Sequence, residues 1–190
     1  MKTRTIPARL DTAPTSRAHA ALLSAALVAA FAVMTGVGAH IRVPLPFTPV
    51  PVTLQTFFVF LSGGLLGARL GGMSQVLYLG LGAAGLPLFA GGAGAIFGPT
   101  GGYLVGFGVA ALLIGRLTAG RDGSSPVRTV GAMVLGLAAI YGLGSLQLMA
   151  LAPIGLREAV SMGILPFLAG DAAKLALAAG IVVAVKRRSA

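Results

Sequence analysis

Asp171 and Lys174 stand three positions apart inside "LPFLAGDAAKLALAAGIVVAV" (165–185), a run otherwise made of apolar and small residues. A charge at the centre of a membrane helix costs about 2.5–3.5 kcal/mol, so such groups face a cavity or one another. At i,i+3 the two share a helix face and partly neutralise each other. Two readings stay open: an ion pair that tethers the helix, or the polar head of a site for a small ligand. Lys174 precedes the basic end Lys186, Arg187 and Arg188 by roughly 20 Å of helix, which puts the pair in the half of the span away from that end.

Two further stretches carry polar groups at apolar borders. "PVPVTLQTF" (49–57) sets Thr53, Gln55 and Thr56 at the start of a helix, where they either cap it or donate to a ligand. "FGPTGGY" (97–103) offers glycines that permit close backbone approach, and Tyr103 offers a ring face and a hydroxyl. A plain turn is the simpler reading of that motif. His40 and Arg42 lie near the end of the first apolar run.

Other chemistry is missing from the sequence. No cysteine is present, which excludes disulfides and thiolate chemistry. There is no phosphate-binding G-x-x-x-x-G-K-[ST] loop, no HExxH and no G-x-S-x-G elbow. His19 and His40 have no orienting carboxylate beside them in sequence, so an enzyme is not expected. A net charge of +10 would suggest nucleic acid, but the basic residues lie between apolar segments without interleaved aromatics. They read as lipid-headgroup contacts and topology signals.

The elements that must position these groups are membrane helices. The 190 residues are 56% hydrophobic and only 9% charged, with a mean hydropathy of +0.94. Approximate spans are 20–39, 53–68, 71–86, 102–119, 129–151 and 160–185, giving an all-α integral membrane protein of six helices. Pro44, Pro46, Pro49 and Pro51 forbid helix in the first connector, Arg69 with "LGG" (70–72) marks a turn, and 85–102 is a longer irregular break. Residues 1–17 read as a cytoplasmic tail, and the first apolar run as a retained helix rather than a cleaved leader. The remaining chain, 18–190, is expected to be one membrane domain. With both termini inside, every basic residue outside the spans except Arg42 and Arg157 falls on the inner side, as the positive-inside rule requires. The polar stretches above then share the outer side. Ala21, Ala25 and Ala29 form a small-residue ridge on the first helix, for internal packing or for a partner helix.

"PVPVTLQTFFVFLSGGLLGARLG" (49–71), "YLGLGAAGLPLFAGG" (78–92), "GPTGGYLVGF" (98–107) and "PFLAGDAAKLALA" (166–178) together resemble the BioY family, the biotin-specific S components of energy-coupling factor (ECF) transporters. The resemblance covers most of residues 45–180. It implies a six-helix, N-in/C-in S component in the cell membrane of a prokaryote, binding biotin near the outer face. Asp171 and Lys174 look like the family's polar pair, with Tyr103, Phe89, Gly91 and Gly92 as walls and Thr53 and Gln55 beside them. Whether Lys174 meets the ureido ring or the carboxylate stays open. The resemblance further implies a transmembrane coupling protein docked on Ala21, Ala25 and Ala29, and two cytoplasmic ATPases that use the ATP this chain cannot bind; no cofactor is expected in the chain itself. The alternatives are an S component for another vitamin and a structural membrane subunit without a ligand.

Overall fold

The computed structural model describes residues 13–120 and 125–188. Most of the expected tail and part of the loop before residue 125 lie outside the described residues. Helix α1 runs Ala13–His40, starting inside the stretch expected as tail. The proline-rich connector follows, closed by a two-residue ladder of β1 (Arg42–Val43) and β2 (Val52–Thr53), with Arg42 opposite Thr53. Prolines stop helix there without preventing this short antiparallel pairing.

Helix α2, Gln55–Ala83, is two arms joined at Gly67. Residues 13 apart in a straight helix are about 20 Å apart, yet the Gln75 amide donates to the Ser62 hydroxyl at 3.2 Å. The chain therefore folds back on itself. Gly67 makes the reversal with φ 77° and ψ −179°, a conformation open almost only to glycine. The turn falls at Gly67 and not at residues 69–72, which are helical. Gly115 lies against it so closely that a Cβ there would collide with the backbone of Gly67 and Ala68.

An irregular segment with a single 3₁₀ turn, Ala93–Ile96, leads to α3 (Gly101–Leu117). Helix α4 spans Pro126–Leu151, with proline in its first turn where no N–H is needed. The expected sixth span is broken: α5 (Leu156–Gly163) and a 3₁₀ turn (Leu165–Phe167) precede α6 (Leu168–Arg188). Pro166 lacks the N–H that a continuous helix would use, and disfavours helical geometry at Leu165. As a result Asp171 sits in the first turn of α6 rather than at mid-helix.

Helix α1 packs on α2, α2 on α3 and α6, α3 on α4, and α4 on α5 and α6. Phe60, Tyr78, Ile114, Met133, Ile140 and Val182 fill the centre. The outer surface is apolar as well, with Leu22, Val76, Val134, Leu146 and Leu177 exposed. Four stretches, 17–40, 55–83, 126–151 and 156–188, are long and apolar enough to cross a membrane. A shell that is greasy on both faces suits lipid as solvent. Ala21, Ala25 and Ala29 are all exposed, so the ridge is not used for packing inside the bundle.

Candidate functional site

A cavity of about 390 Å³ opens among the connector, the start of α2, the 84–100 segment, the start of α3, the middle of α4 and the start of α6. Its polar head is built around Asp171, which is 3% exposed. Oδ1 accepts from the Thr56 hydroxyl at 2.7 Å and lies 2.5 Å from Lys174 Nζ, while Oδ2 accepts from the Tyr141 hydroxyl at 2.6 Å. Lys174 also donates to the Thr53 carbonyl at 2.7 Å. A buried carboxylate is tolerable on these terms, with a counter-charge, two hydroxyl donors and the favourable end of a helix dipole. The mid-helix penalty does not apply, because the helix begins only at Leu168.

The tether and the cavity readings of this pair describe the same atoms. Asp171 ties α6 to α2 and α4 through Thr56 and Tyr141. Both members of the pair also line the cavity.

Beside this head, Gln55 donates from Nε2 to the Tyr78 hydroxyl at 2.6 Å, and the Thr53 hydroxyl donates to Gln55 Oε1 at 3.1 Å. The N-cap residue is Leu54, which offers no side-chain hydrogen bond, while the Thr53 hydroxyl accepts the backbone N–H of Gln55, the first residue of α2, at 3.4 Å. The hydroxyl of Tyr103 donates to the Gly163 carbonyl at 2.8 Å, which leaves its ring, not its O–H, for the cavity wall. Phe89, Phe107 and Phe167 complete the aromatic wall, and Phe89 meets Tyr78 edge to face at 5.2 Å between ring centres.

The 84–100 segment is held by donors reaching its backbone carbonyls. His40 Nε2 donates to Pro87 at 2.8 Å and Arg42 Nη1 to Ala90 at 3.2 Å. Gln147 Nε2 bonds Ile96 and Gly98 at 3.1 and 2.7 Å. Gly91 lines the cavity but Gly92 does not. Gly92 makes the turn into Ala93–Ile96 with φ 72°, a conformation that favours glycine.

Of the residues singled out from the sequence, Thr53, Gln55, Phe89, Gly91, Tyr103, Asp171 and Lys174 share one wall system. Sequence reasoning missed Tyr78 and Tyr141. The signal was available: the chain has three tyrosines, and all of them line this cavity. A hydroxyl inside an apolar span needs a partner, and a cavity head supplies one. Arg42 lines the cavity too.

An apolar-shelled helical bundle with a polar-headed cavity is the build of a membrane protein that holds a small solute. The chain belongs to the BioY family, whose model matches residues 11–190. It is similar to the biotin transporter BioY of Thermotoga maritima, 43% identical over 160 residues, 83% of this chain and 92% of that one. It is also similar to the probable biotin transporter BioY of Lysinibacillus sphaericus, 46% identical over 123 residues, 64% of this chain and 62% of the relative's length. Among solved structures it is similar to the S-component for biotin from an ECF-type ABC transporter, with a TM-score of 0.79 and 26% identity over 89% of this chain and 93% of that one.

Proposed function

We propose that this chain is the biotin-binding S component of an ECF-type transporter. The observation that carries the reading is the cavity itself, with a charge-balanced Asp171–Lys174 head and aromatic walls. Biotin offers matching chemistry: ureido N–H donors and a carbonyl, an apolar thioether ring, and a carboxylate tail. Asp171 accepts a ureido N–H, Lys174 supplies a donor, and Tyr103, Phe89 and Gly91 enclose the rings, with Thr53 and Gln55 beside the head. The subunit binds its solute without chemical conversion.

The chain crosses the cytoplasmic membrane of a prokaryote six times, the two arms of α2 each counting as a span, with both termini inside. The basic distribution supports this orientation. At the end of the bundle opposite the cavity, Arg128 Nε donates to the Leu117 carbonyl and Lys186 Nζ to the Thr118 carbonyl, so cations gather where anionic headgroups lie. A transmembrane coupling protein docks on the exposed Ala21, Ala25 and Ala29, and two cytoplasmic ATPases supply the energy from ATP. No cofactor is held by the chain itself.

The test is equilibrium binding of labelled biotin to the purified protein, with Lys174→Ala as comparison. Binding at submicromolar ligand, weakened at least tenfold in a folded variant, is expected from losing a charge-assisted hydrogen bond. A wild-type protein that shows no binding at micromolar biotin overturns the reading. Ala25→Leu is expected to abolish co-purification with the coupling protein while leaving biotin affinity unchanged.

A further inference from the structure

Within the cavity the charges do not balance. Asp171 and Lys174 cancel each other at 2.5 Å, and a second donor position of Lys174 is taken by the Thr53 carbonyl. Arg42 is the remaining cation of the lining. Among the described residues the carboxylates are Asp171 and Glu158; the first is held by Lys174, and the second accepts the Gly155 backbone N–H. Among the described residues no carboxylate forms an ion pair with Arg42.

The guanidinium is also well placed. Arg42 pairs with Thr53 across the β1–β2 ladder, and directly opposed residues project to the same face, a few ångströms apart. Thr53 is the residue whose carbonyl holds Lys174, so Arg42 stands next to the polar head. It is exposed, which puts it at the mouth rather than the floor. Its Nη1 donates to the Ala90 carbonyl at 3.2 Å, and this fixes the side chain across the opening. One bond uses one of five donors, leaving an edge of the fork for a bidentate partner.

We propose that Arg42 reads the ionised carboxylate of the ligand at the cavity mouth. The inference rests on the biotin reading above, and it assigns the tail of the ligand to Arg42 and the ring to the charge-balanced pair. Lys174 meets a neutral acceptor with its remaining N–H, because its charge is already compensated.

The experiment compares biotin with its neutral primary amide on wild-type protein, Arg42→Gln and Arg42→Lys. Wild type is expected to prefer the acid by about tenfold, the scale of a charged pair at a partly screened site. Arg42→Gln should erase that preference, the acid-to-amide ratio falling to about one, and the ratio separates loss of the carboxylate contact from any loss common to both ligands through the Ala90 anchor. Arg42→Lys should retain part of the preference, since it keeps the charge and loses the fork. A wild type that binds acid and amide alike, or an Arg42→Gln protein that keeps the full acid-to-amide preference whatever its absolute affinities, overturns the assignment to Arg42 while the biotin reading stands. A wild type that binds neither ligand overturns both.

Discussion

Two hydrogen-bonded clusters cross the interior of this bundle, and only one of them opens on a cavity. In the first, Gln75 on the second arm of α2 donates toward Thr35 of α1, Ser62 of the first arm and neighbouring Ser74, at 3.2–3.3 Å. All four residues are fully buried, and each hydroxyl passes its own proton to a backbone carbonyl in the preceding turn. In the second, Asp171 gathers Thr56, Tyr141 and Lys174 beside open volume. The closed cluster is neutral and replaceable by packing, whereas the open one carries ionised groups whose spare donors and acceptors have somewhere to point. Polarity inside an apolar bundle marks a ligand site when it is charged and adjoins a void. Alone it marks helix association.

The sharpest way to break that contrast is to discharge the open cluster. Asp171→Asn is expected to lower biotin affinity by about a hundredfold, the upper range for removing a charged acceptor. Titration with labelled ligand checks this, and an unchanged affinity would sink the distinction.

Gly67→Ala acts on the closed cluster and on the Gln55–Tyr78 pair of the cavity wall at once. The reversal at Gly67 brings Ser62 to Gln75 and also Gln55 to Tyr78. Forcing an L side chain to φ 77° should cost about 1–3 kcal/mol. Thermal unfolding in detergent should show the loss with and without ligand.

Tyr141→Phe removes one donor to Asp171 and keeps the ring. About a fivefold loss of affinity is expected, from roughly 1 kcal/mol per hydrogen bond. A loss restricted to stability would place Tyr141 in the tether alone. The smallest effect belongs to the closed cluster. Gln75 Oε1 has no hydrogen-bond partner among the described residues, so Gln75→Leu discards an unsatisfied atom along with its weak bonds. Affinity should stay within about twofold and stability within about 1 kcal/mol.

Much of this arrangement was legible in the sequence, because apolar length and basic punctuation are strong signals. The break near residue 165 was not, since Pro166 sits in an apolar run whose composition suits a single span. That omission misjudged the environment of Asp171, which occupies a helix start and not a helix centre. Tyr141 and Tyr78 were marked in the sequence only as hydroxyls inside apolar spans, with nothing local to say what they meet. Their partners, Asp171 and Gln55, are 30 and 23 residues away, and only the folded packing joins them. Gly92 lies outside the cavity lining and holds a positive-φ turn, a use of glycine that sequence does not distinguish from close ligand approach.

The anchors of the 84–100 segment come from His40, Arg42 and Gln147, and every one of them grips a carbonyl. Carbonyls are the same for all residues, so these anchors require no particular side chain at positions 91, 94 and 95, and a Cβ added at Gly94 would meet nothing within 4 Å. This wall of the cavity is thus a place where selectivity for a new solute can be written by substitution while the scaffold is left alone.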